Sequence, residues 1–334
     1  MKVAVLGATG LVGRTMLKLM GDRAWVSGDP VLLSSARGAG TKLEFAGRQL
    51  ECKEVSAEDF QGVDITLFSA GGDASRIWGP VAAEAGAWVV DNSSAWRMEE
   101  GVSLVVPEIN GHLIKPTGGG KGGIIANPNC STIQVAMAVA PLDRIFSVRE
   151  AHVTTLQAVS GAGQKAVAEL ERQEQNPNAE MNEIFPRPIF HNAIPAIGAA
   201  LADGSYEEED KVVRELRKIL GRKDDLAVTC TATRVPVVTG HSAAVRLVCE
   251  KPIDLTKAAD ALANFKGVEV DPDPHAYMTP REIVGQSTVH VGRLRAEPNN
   301  PHALMLWVVA DNLLKGAARN AVQIADLLAG KPQS

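Results

Sequence analysis

The first twenty residues carry the feature that most constrains the fold of this chain. The apolar run Val3–Leu6 leads into the glycine-rich turn Gly7–Gly13, and a segment with helical character continues to Met20. This order is typical of a phosphate-binding loop, because glycines let the backbone approach a pyrophosphate that rests on a helix N-terminus. The spacing is GxxGxxG rather than GxGxxG, so its place between a strand and a helix is what favours a dinucleotide site over a simple tight turn.

The end of the second predicted strand indicates which dinucleotide is bound. Val31–Leu33 runs into Ser34-Ser35-Ala36-Arg37-Gly38. A carboxylate at this point would bind the ribose 2′-hydroxyl of NAD, whereas hydroxyls and an arginine suit a 2′-phosphate. The sequence therefore predicts NADP, with a solvated loop arginine as the alternative reading of Arg37.

Alternation of apolar strands and helices sets the fold class of the N-terminal half. Strands are expected at 64–68, 88–90, 103–106 and 123–126, with a helix between 74 and 85. This pattern predicts a Rossmann-like, doubly wound parallel α/β sheet. Two polar loops, Ser69–Gly72 and Asp91–Ser94, follow strands at the carboxyl edge, where such sheets bind ligands. Turn chemistry is the alternative explanation of their serines and asparagine.

The pattern changes after Pro141. Strand-like stretches occupy 147–159, 226–250, 288–295 and 303–310, and helices are expected at 164–175, 207–220 and 257–265. We expect an α+β domain with a mixed, largely antiparallel sheet. The predicted boundaries are 1–128 for an NADP-binding domain, completed by a C-terminal helix in 311–330, and 129–310 for a catalytic and dimerisation domain. A glycine-rich stretch, 118–123, is expected to be flexible.

Composition excludes several classes of function. A net charge of −5 leaves no basic face for nucleic acid, and no apolar run reaches membrane-spanning length. The cysteines lack any CxxC spacing, which argues against a zinc site or a disulfide framework; they are Cys52, Cys130, Cys230 and Cys249. We therefore expect a cytoplasmic, reduced protein without a bound metal.

One of these cysteines occupies a chemically favourable place. An apolar strand stops at an Asn-Pro turn, and Cys130 stands where the next helix begins, at Ser131. Free backbone N–H groups and the positive end of the helix dipole favour a thiolate there, and the same groups can hold an oxyanion. The alternative is a small buried hydrophobe, as most free cysteines are.

Three further polar groups stand out in the second half. They are the glycine turn Gln157–Gly163, the helical pair Glu215 and Lys218, and the segment Arg234–Ser242, which contains His241. Each has a structural alternative. The helical pair alone is typical of a surface ion pair, the arginine of a salt-bridge partner, and the histidine of a satisfied core residue.

Taken together, these motifs resemble the aspartate-β-semialdehyde dehydrogenase family over essentially the full length. The matching blocks, in family order and separation, are Gly7–Gly13, Ser69–Ser75, Asp91–Arg97, Val106–Asn110, Asn127–Ile133, Gln157–Gly163 and Arg234–Ser242. The resemblance implies a Rossmann NADP-binding domain, a dimerising catalytic domain and a cytoplasmic homodimer. The implied cofactor-binding residues are Gly7, Ala8, Thr9, Gly10, Leu11, Val12, Ser34, Ser35, Arg37, Ser69, Ala70, Gly71, Asn92, Ser93, Ser160 and Gly161.

The resemblance also implies catalytic roles. Cys130 is the implied nucleophile, His241 the acid/base, and Gln157 the residue that orients the reacting group. Arg234 resembles the arginine that clamps the substrate α-carboxylate, for which a planar guanidinium is well suited.

The remaining substrate contacts implied by the resemblance are an ammonium site at Glu215 and a phosphate site. The implied phosphate-binding residues are Arg97, Lys218 and Asn129. The helix around Glu215 fits the family pattern loosely, so a shift of this pair to Glu208 and Lys211 stays open.

The implied activity is NADPH-dependent reductive dephosphorylation of L-aspartyl 4-phosphate to L-aspartate 4-semialdehyde through a cysteine thioester. This phosphorylating dehydrogenase would serve lysine, methionine, threonine and diaminopimelate biosynthesis. Two alternatives are a reductase of another acyl phosphate or acyl-CoA, such as N-acetylglutamyl phosphate or malonyl-CoA, and a non-catalytic NADP-binding paralogue. Retention of the cysteine, glutamine, arginine and histidine together argues against the paralogue.

Overall fold

The computed structural model describes residues 1–114, 122–177, 183–222 and 225–331, and these residues belong to two compact units. The first unit comprises Met1–Asn129 and Ala317–Ser334, and the second comprises Cys130–Gly316. Most of the glycine stretch 118–123 lies outside the described residues, so its expected flexibility stays a prediction.

The described residues of the first unit form a seven-stranded parallel sheet in the order β5-β2-β1-β6-β7-β9-β8, with a separate β3–β4 hairpin. The strands are β1 (Val3–Leu6), β2 (Val31–Ser34), β3 (Lys42–Phe45), β4 (Arg48–Glu51), β5 (Lys53–Glu54), β6 (Ile65–Phe68), β7 (Trp88–Asp91), β8 (Ser103–Leu104) and β9 (Gly123–Ala126). The doubly wound parallel sheet predicted from the sequence is confirmed.

Both faces of this sheet are covered, which explains the continuous apolar strands. Val3 and Val5 share a core with α1 (Leu11–Met20) and with the C-terminal helix Arg319–Leu328, whereas Ala4 and Leu6 pack on the opposite side, where Ala82 of α2 (Gly72–Glu84) lies. Successive residues of one strand thus enter two cores. A short helix, α3 (Pro107–Asn110), follows β8.

The second unit contains a six-stranded sheet in the order β11-β10-β12-β15-β14-β13 among its described residues. The strands are β10 (Val148–Gln157), β11 (Ala227–Arg234), β12 (His241–Cys249), β13 (Val268–Val270), β14 (Val289–Glu297) and β15 (Asn300–Ala310). The β10–β11 and β13–β14 pairs are parallel and the pairs between them are antiparallel. The mixed, largely antiparallel sheet expected here is confirmed.

Helices cover this sheet. They are α4 (Cys130–Phe146), α5 (Gln164–Gln175), α6 (Glu207–Leu220), α7 (Leu255–Ala263) and α8 (Pro280–Ile283). Helix α4 packs on β10, β12, β14 and β15, and α6 packs on β11. The C-terminal helix is α9 (Arg319–Leu328).

Three differences between the structure and the sequence-based elements have a clear physical reason. The predicted strand 226–250 is two strands, because Pro236 and Gly240 interrupt it at a turn. The predicted C-terminal helix begins with a π-helical turn, Leu314–Ala318, before α9. The β3–β4 hairpin was not expected, since its strands expose many charged side chains; its turn places Ala46 and Gly47 at positive φ.

Membrane-spanning helices and metal-binding clusters are both absent from the described part of the chain. None of its helices combines the length and apolarity that crossing a bilayer requires. No group of three or more His, Cys, Asp and Glu side chains is arranged there to hold a metal ion.

Candidate active site

The sheet of the second unit brings separate sequence motifs to one edge. In the β10–β11 register Gln157 pairs with Arg234, and in the antiparallel β12–β15 register His241 pairs with Ala310. The C-terminal ends of β10, β11 and β15 therefore meet the N-terminal end of β12. Three residues that lie far apart in the sequence, Gln157, Arg234 and His241, become neighbours through strand register alone.

Cys130 is the first residue of α4, as the sequence predicted. Cys130 is half-buried, so it is not enclosed in the hydrophobic core. The N-terminal position places the thiol at the positive end of the helix dipole, which favours a reactive thiolate.

His241 is fully buried and its ring is fixed by the backbone. The Ala158 N–H donates to Nδ1 at 3.0 Å, so a neutral ring carries its proton on Nε2. Burial and the nearby Arg234 charge lower the pKa of His241 well below 6.5. Among the described residues Nε2 has no hydrogen-bond partner. The imidazole is thus a neutral ring that presents an N–H group for donation.

Arg234 is held in place by backbone and side-chain contacts. Its backbone exchanges hydrogen bonds with Ile194, and Nη1 donates to the Ala158 carbonyl oxygen at 2.8 Å. Burial lowers the pKa of the guanidinium, while the charges of Glu208 and Cys130 oppose that effect. A buried cation of this kind, with a carboxylate and a thiol in electrostatic range, suits an anionic ligand.

Gly161 leaves an open space between these groups. A Cβ built on Gly161 would lie 3.0 Å from both Arg234 Nη1 and His241 Nε2. The guanidinium and the imidazole therefore converge on one point, which a side chain at position 161 would fill. Gln157 is buried beside them and donates from Nε2 to Thr155 Oγ1 at 3.2 Å.

The two acidic positions of α6 differ in their surroundings. Glu208 interacts electrostatically with Arg234 and forms an ion pair with Lys211 at 3.4 Å. Glu215 lies two turns further along the same helix face, about 10 Å along the axis. Glu215 is only 1% exposed, so it does not lie on the surface, where its sequence context alone suggested an ion pair.

The glycine turn of the first unit, the candidate phosphate cradle, is closely packed backbone. A Cβ at Gly7 would lie 2.3 Å from the Ser69 carbonyl oxygen, and one at Gly13 would lie 2.2 Å from the Gly7 carbonyl oxygen. Gly7 also has φ of +84°, which disfavours other residues. In the described chain the Gly10 cap of α1 has no side-chain hydrogen bond, which leaves the role of capping ligand open to a phosphate.

The loop after β2 lies beside this cradle. A Cβ at Gly38 would lie 2.7 Å from Ser34 Oγ and 3.2 Å from Thr9 Cγ2. Ser34 Oγ donates to the Ser35 carbonyl oxygen at 2.9 Å. Arg37 is exposed on a short 3₁₀ turn. The predicted 2′-phosphate residues thus adjoin the glycine turn.

The loop after β7 and the segment before Cys130 are tied together by polar contacts. Arg97 donates to the carbonyl oxygens of Asn127 and Asn92 at 3.0 and 2.9 Å, and Asn127 Nδ2 donates to Asn92 Oδ1 at 2.7 Å. Ser93 donates to Asp91 at 2.6 Å. Asn129 is buried two residues after Asn127. Of the implied phosphate residues, Arg97 therefore belongs to this network, and Asn129 follows Asn127 closely in the sequence of the same segment.

Sequence reasoning missed the residues that follow β15. Asn312 accepts from the Gly240 N–H at 2.8 Å and donates from Nδ2 to Ser160 Oγ at 2.9 Å. It joins the turn before His241 to the turn after Gln157. The only signal was its place directly after an apolar strand, within a segment interpreted as plain helix.

Comparison with known proteins gave matches along almost the whole chain. Residues 2–117 match the family model described as semialdehyde dehydrogenase, NAD binding domain, and residues 139–315 match semialdehyde dehydrogenase, dimerisation domain. An aspartate-semialdehyde dehydrogenase from Aquifex aeolicus is 43% identical over 98% of this chain and 97% of that protein.

Solved structures agree with this match. A crystal structure of aspartate semialdehyde dehydrogenase II from Vibrio cholerae, complexed with ASA, superposes with a TM-score of 0.93 at 39% identity, covering 98% of each chain. The enzyme from Candida albicans with NADP has a TM-score of 0.79 at 25% identity, over 98% of each chain.

Proposed function

This chain belongs to the aspartate-semialdehyde dehydrogenase family, and we propose that it reduces L-aspartyl 4-phosphate to L-aspartate 4-semialdehyde with NADPH. The observation that carries the proposal is the convergence of Arg234 and His241 on the space above Gly161, with the Cys130 charge in range of the arginine. A nucleophile, a hydrogen-bond donor and a carboxylate-binding cation are the groups that this reduction requires.

NADP is the proposed cofactor. The glycine cradle and the uncapped start of α1 fit its pyrophosphate, and Ser34, Ser35 and Arg37 supply donors for a 2′-phosphate. Its nicotinamide supplies the hydride when the cofactor is bound. The other proposed contacts are the residues of the turns after β6, β7 and β10, namely Ser69, Ala70, Gly71, Asn92, Ser93, Ser160 and Gly161.

The substrate is proposed to bind through both of its amino-acid charges. Arg234 holds the α-carboxylate with the guanidinium N–H groups that face away from Ala158. The electrostatic interaction of Glu208 with Arg234 supports this carboxylate, rather than Glu215, as the ammonium site. On the same reasoning Lys211, one turn from Glu208, is proposed as the phosphate-binding lysine in place of Lys218. Arg97 and Asn129 stay proposed phosphate-binding residues because of the family resemblance.

The proposed chemistry proceeds in three steps at Cys130. The thiolate attacks the acyl carbon, the C–O bond to phosphate breaks, and a thioester remains on the sulfur. Hydride addition to the thioester carbon gives a thiohemiacetal oxyanion. That oxyanion re-forms the carbonyl while the C–S bond breaks, which releases the aldehyde and restores the thiolate. Splitting one transfer in this way replaces a difficult step by easier ones.

His241 has a defined part in this scheme. The Ala158 contact leaves the proton on Nε2, so the ring donates a hydrogen bond to the oxygen on which charge develops in both tetrahedral species. Hydrogen-bond donation is one part of the acid/base role that the family resemblance implies for His241. Gln157, buried at the end of β10, is proposed to orient the same reacting group.

The oligomeric state and the metabolic role of this chain are also proposals. The match to a dimerisation domain over 139–315 supports a homodimer. The family membership supports a place in cytoplasmic biosynthesis of lysine, methionine and threonine.

A phosphate-dependent assay tests the proposed function. The purified protein is mixed with aspartate semialdehyde, phosphate and NADP, and NADPH formation is followed by absorbance. We expect turnover that requires phosphate, prefers NADP over NAD, and disappears in Cys130→Ser. Turnover with N-acetylglutamate semialdehyde or malonyl semialdehyde and CoA, but not with aspartate semialdehyde, would replace the proposed substrate. Wild-type activity in Cys130→Ser would eliminate the covalent scheme.

A further inference from the structure

The turn after β15 is built in an unusual way. The Gly316 N–H donates to the Asp311 carbonyl oxygen, five residues earlier, at 3.1 Å, within the π-helical turn Leu314–Ala318. The Asp311 carboxylate accepts from the N–H groups of Leu313 and Leu314 at 2.9 and 3.1 Å. Single π-helical turns are rare and occur frequently at functional sites.

The same carboxylate fixes this turn to the body of the second unit. Its other oxygen accepts from the Gly285 N–H at 2.9 Å, and Asp311 itself is buried. Two local contacts and one distant contact therefore share one side chain. The position of Gly316 is consequently set by the fold and not by the nucleophile beside it.

Gly316 lies directly against Cys130. A Cβ built on Gly316 would be 3.1 Å from Cys130 Cβ and 3.5 Å from its Cα. Real carbon contacts of this kind are almost always longer than 3.4 Å, so one partner would have to move by a few tenths of an ångström. The φ of Gly316 is not positive, so the need for glycine here comes from the contact with Cys130 and not from backbone conformation.

We infer that Gly316 is a positioning residue for the nucleophile: the missing side chain lets the π-helical turn set where Cys130 Cβ, and with it Sγ, lies. This inference rests on the proposed role of Cys130. An added methyl group has a rigid turn on one side and the start of α4 on the other. Because α4 begins at Cys130, the nucleophile is the part that gives way, and near-attack geometry is lost.

Gly316→Ala tests the inference, with Gly21→Ala as the matched control. A Cβ at Gly21 has its nearest contact at 3.5 Å, an ordinary distance, and Gly21 lies in the first unit. Because misplacement by about 1 Å can cost about 10²-fold in rate, we expect a smaller shift in Gly316→Ala to lower kcat by about tenfold while KM stays within about twofold. Gly21→Ala should retain wild-type kcat.

A second readout does not depend on turnover. The rate of Cys130 alkylation by iodoacetamide, measured without cofactor, should change in Gly316→Ala and stay unchanged in Gly21→Ala. Wild-type kcat together with wild-type alkylation in Gly316→Ala would overturn the inference. Cys130→Ala, assayed in parallel, separates the two proposals: activity retained in that variant contradicts the proposed function itself.

If Gly316→Ala does not fold, a double variant still tests the inference. Cys130→Gly removes the Cβ that the new methyl group would meet, so Gly316→Ala combined with Cys130→Gly should recover the thermal unfolding midpoint of Cys130→Gly alone. A double variant that is as unstable as Gly316→Ala would show that the conflict lies elsewhere and would overturn the inference.

Discussion

The candidate site of the first unit consists mainly of backbone groups, whereas that of the second unit consists of side chains. In the first unit the candidate cofactor cradle is backbone: Gly7 and Gly13 let the turn pack closely against neighbouring backbone, and the start of α1 offers N–H groups. In the second unit the site is made of buried ionisable side chains, Arg234, His241 and Glu208. Buried charges are costly unless they are paired, so each of these groups is placed by specific contacts. Side-chain substitutions should therefore affect rate strongly in the second unit and affinity modestly in the first.

The largest effect is expected at His241. Because its Nε2–H is proposed to face the developing oxyanion, His241→Ala should lower kcat by about 10²–10³-fold, the usual cost of losing one such donor. His241→Gln keeps an N–H donor and should retain clearly more activity. Steady-state kinetics on both variants measure the difference. Equal losses in the two variants would indicate proton transfer in place of hydrogen-bond donation.

A smaller effect should separate the two carboxylates of α6. Glu208→Gln removes the proposed ammonium partner and should raise KM for aspartate semialdehyde by about tenfold or more, as expected when a hydrogen bond to a charged group is lost. Glu215→Gln is the matched control and should leave KM near the wild-type value. A raised KM in Glu215→Gln together with a wild-type KM in Glu208→Gln would indicate that Glu215 binds the ammonium group.

In the first unit, Arg37→Ala should weaken the binding of NADPH more than the binding of NADH. Arg37 is exposed, and an exposed ionic contact contributes about 1 kcal/mol, so KM for NADPH should rise by about fivefold. Lys18→Ala, an exposed cation in the last turn of α1, serves as the control. If KM for NADPH and NADH change in parallel, Arg37 does not read the 2′-phosphate.

The smallest expected effect is a pH dependence of stability. The folded-state pKa of His241 lies well below 6.5 because of burial and Arg234, whereas the unfolded ring titrates near 6.5. Below pH 6.5 the unfolded state therefore binds an extra proton, and the free energy of unfolding should fall as the pH drops toward the folded-state pKa. Urea unfolding of His241→Gln should show a smaller decrease over this range. An identical pH dependence in both proteins would show that protonation of His241 does not contribute to the change in stability.

Sequence reasoning succeeded where local pattern determines structure. The strand, glycine turn and helix at Gly7–Gly13 were recognisable because a phosphate cradle is contiguous in the chain. Cys130 was placed at the start of a helix by the Asn-Pro turn before it. Helices α5 and α6 begin and end where the periodicity predicted.

Sequence reasoning was less informative where function depends on packing between distant segments. Nothing in the local sequence distinguishes Glu208 from Glu215, since both start an E-x-x-K pattern on one face of α6; only the packing of α6 on β11 brings the first near Arg234. Asn312 and Gly316 were interpreted as parts of an ordinary amphipathic helix. Their contacts come from the π-helical turn, which no periodicity of apolar residues reveals.

The central claim is that Cys130 carries the acyl group, and one measurement tests it most directly. Wild-type protein is mixed rapidly with aspartate semialdehyde and NADP in the absence of phosphate. The account predicts a burst of NADPH that approaches one equivalent per active site, together with an acyl adduct on the peptide that contains Cys130, found by mass spectrometry after acid quenching. A burst of the same size in Cys130→Ala, or an adduct on a different residue, would contradict the account.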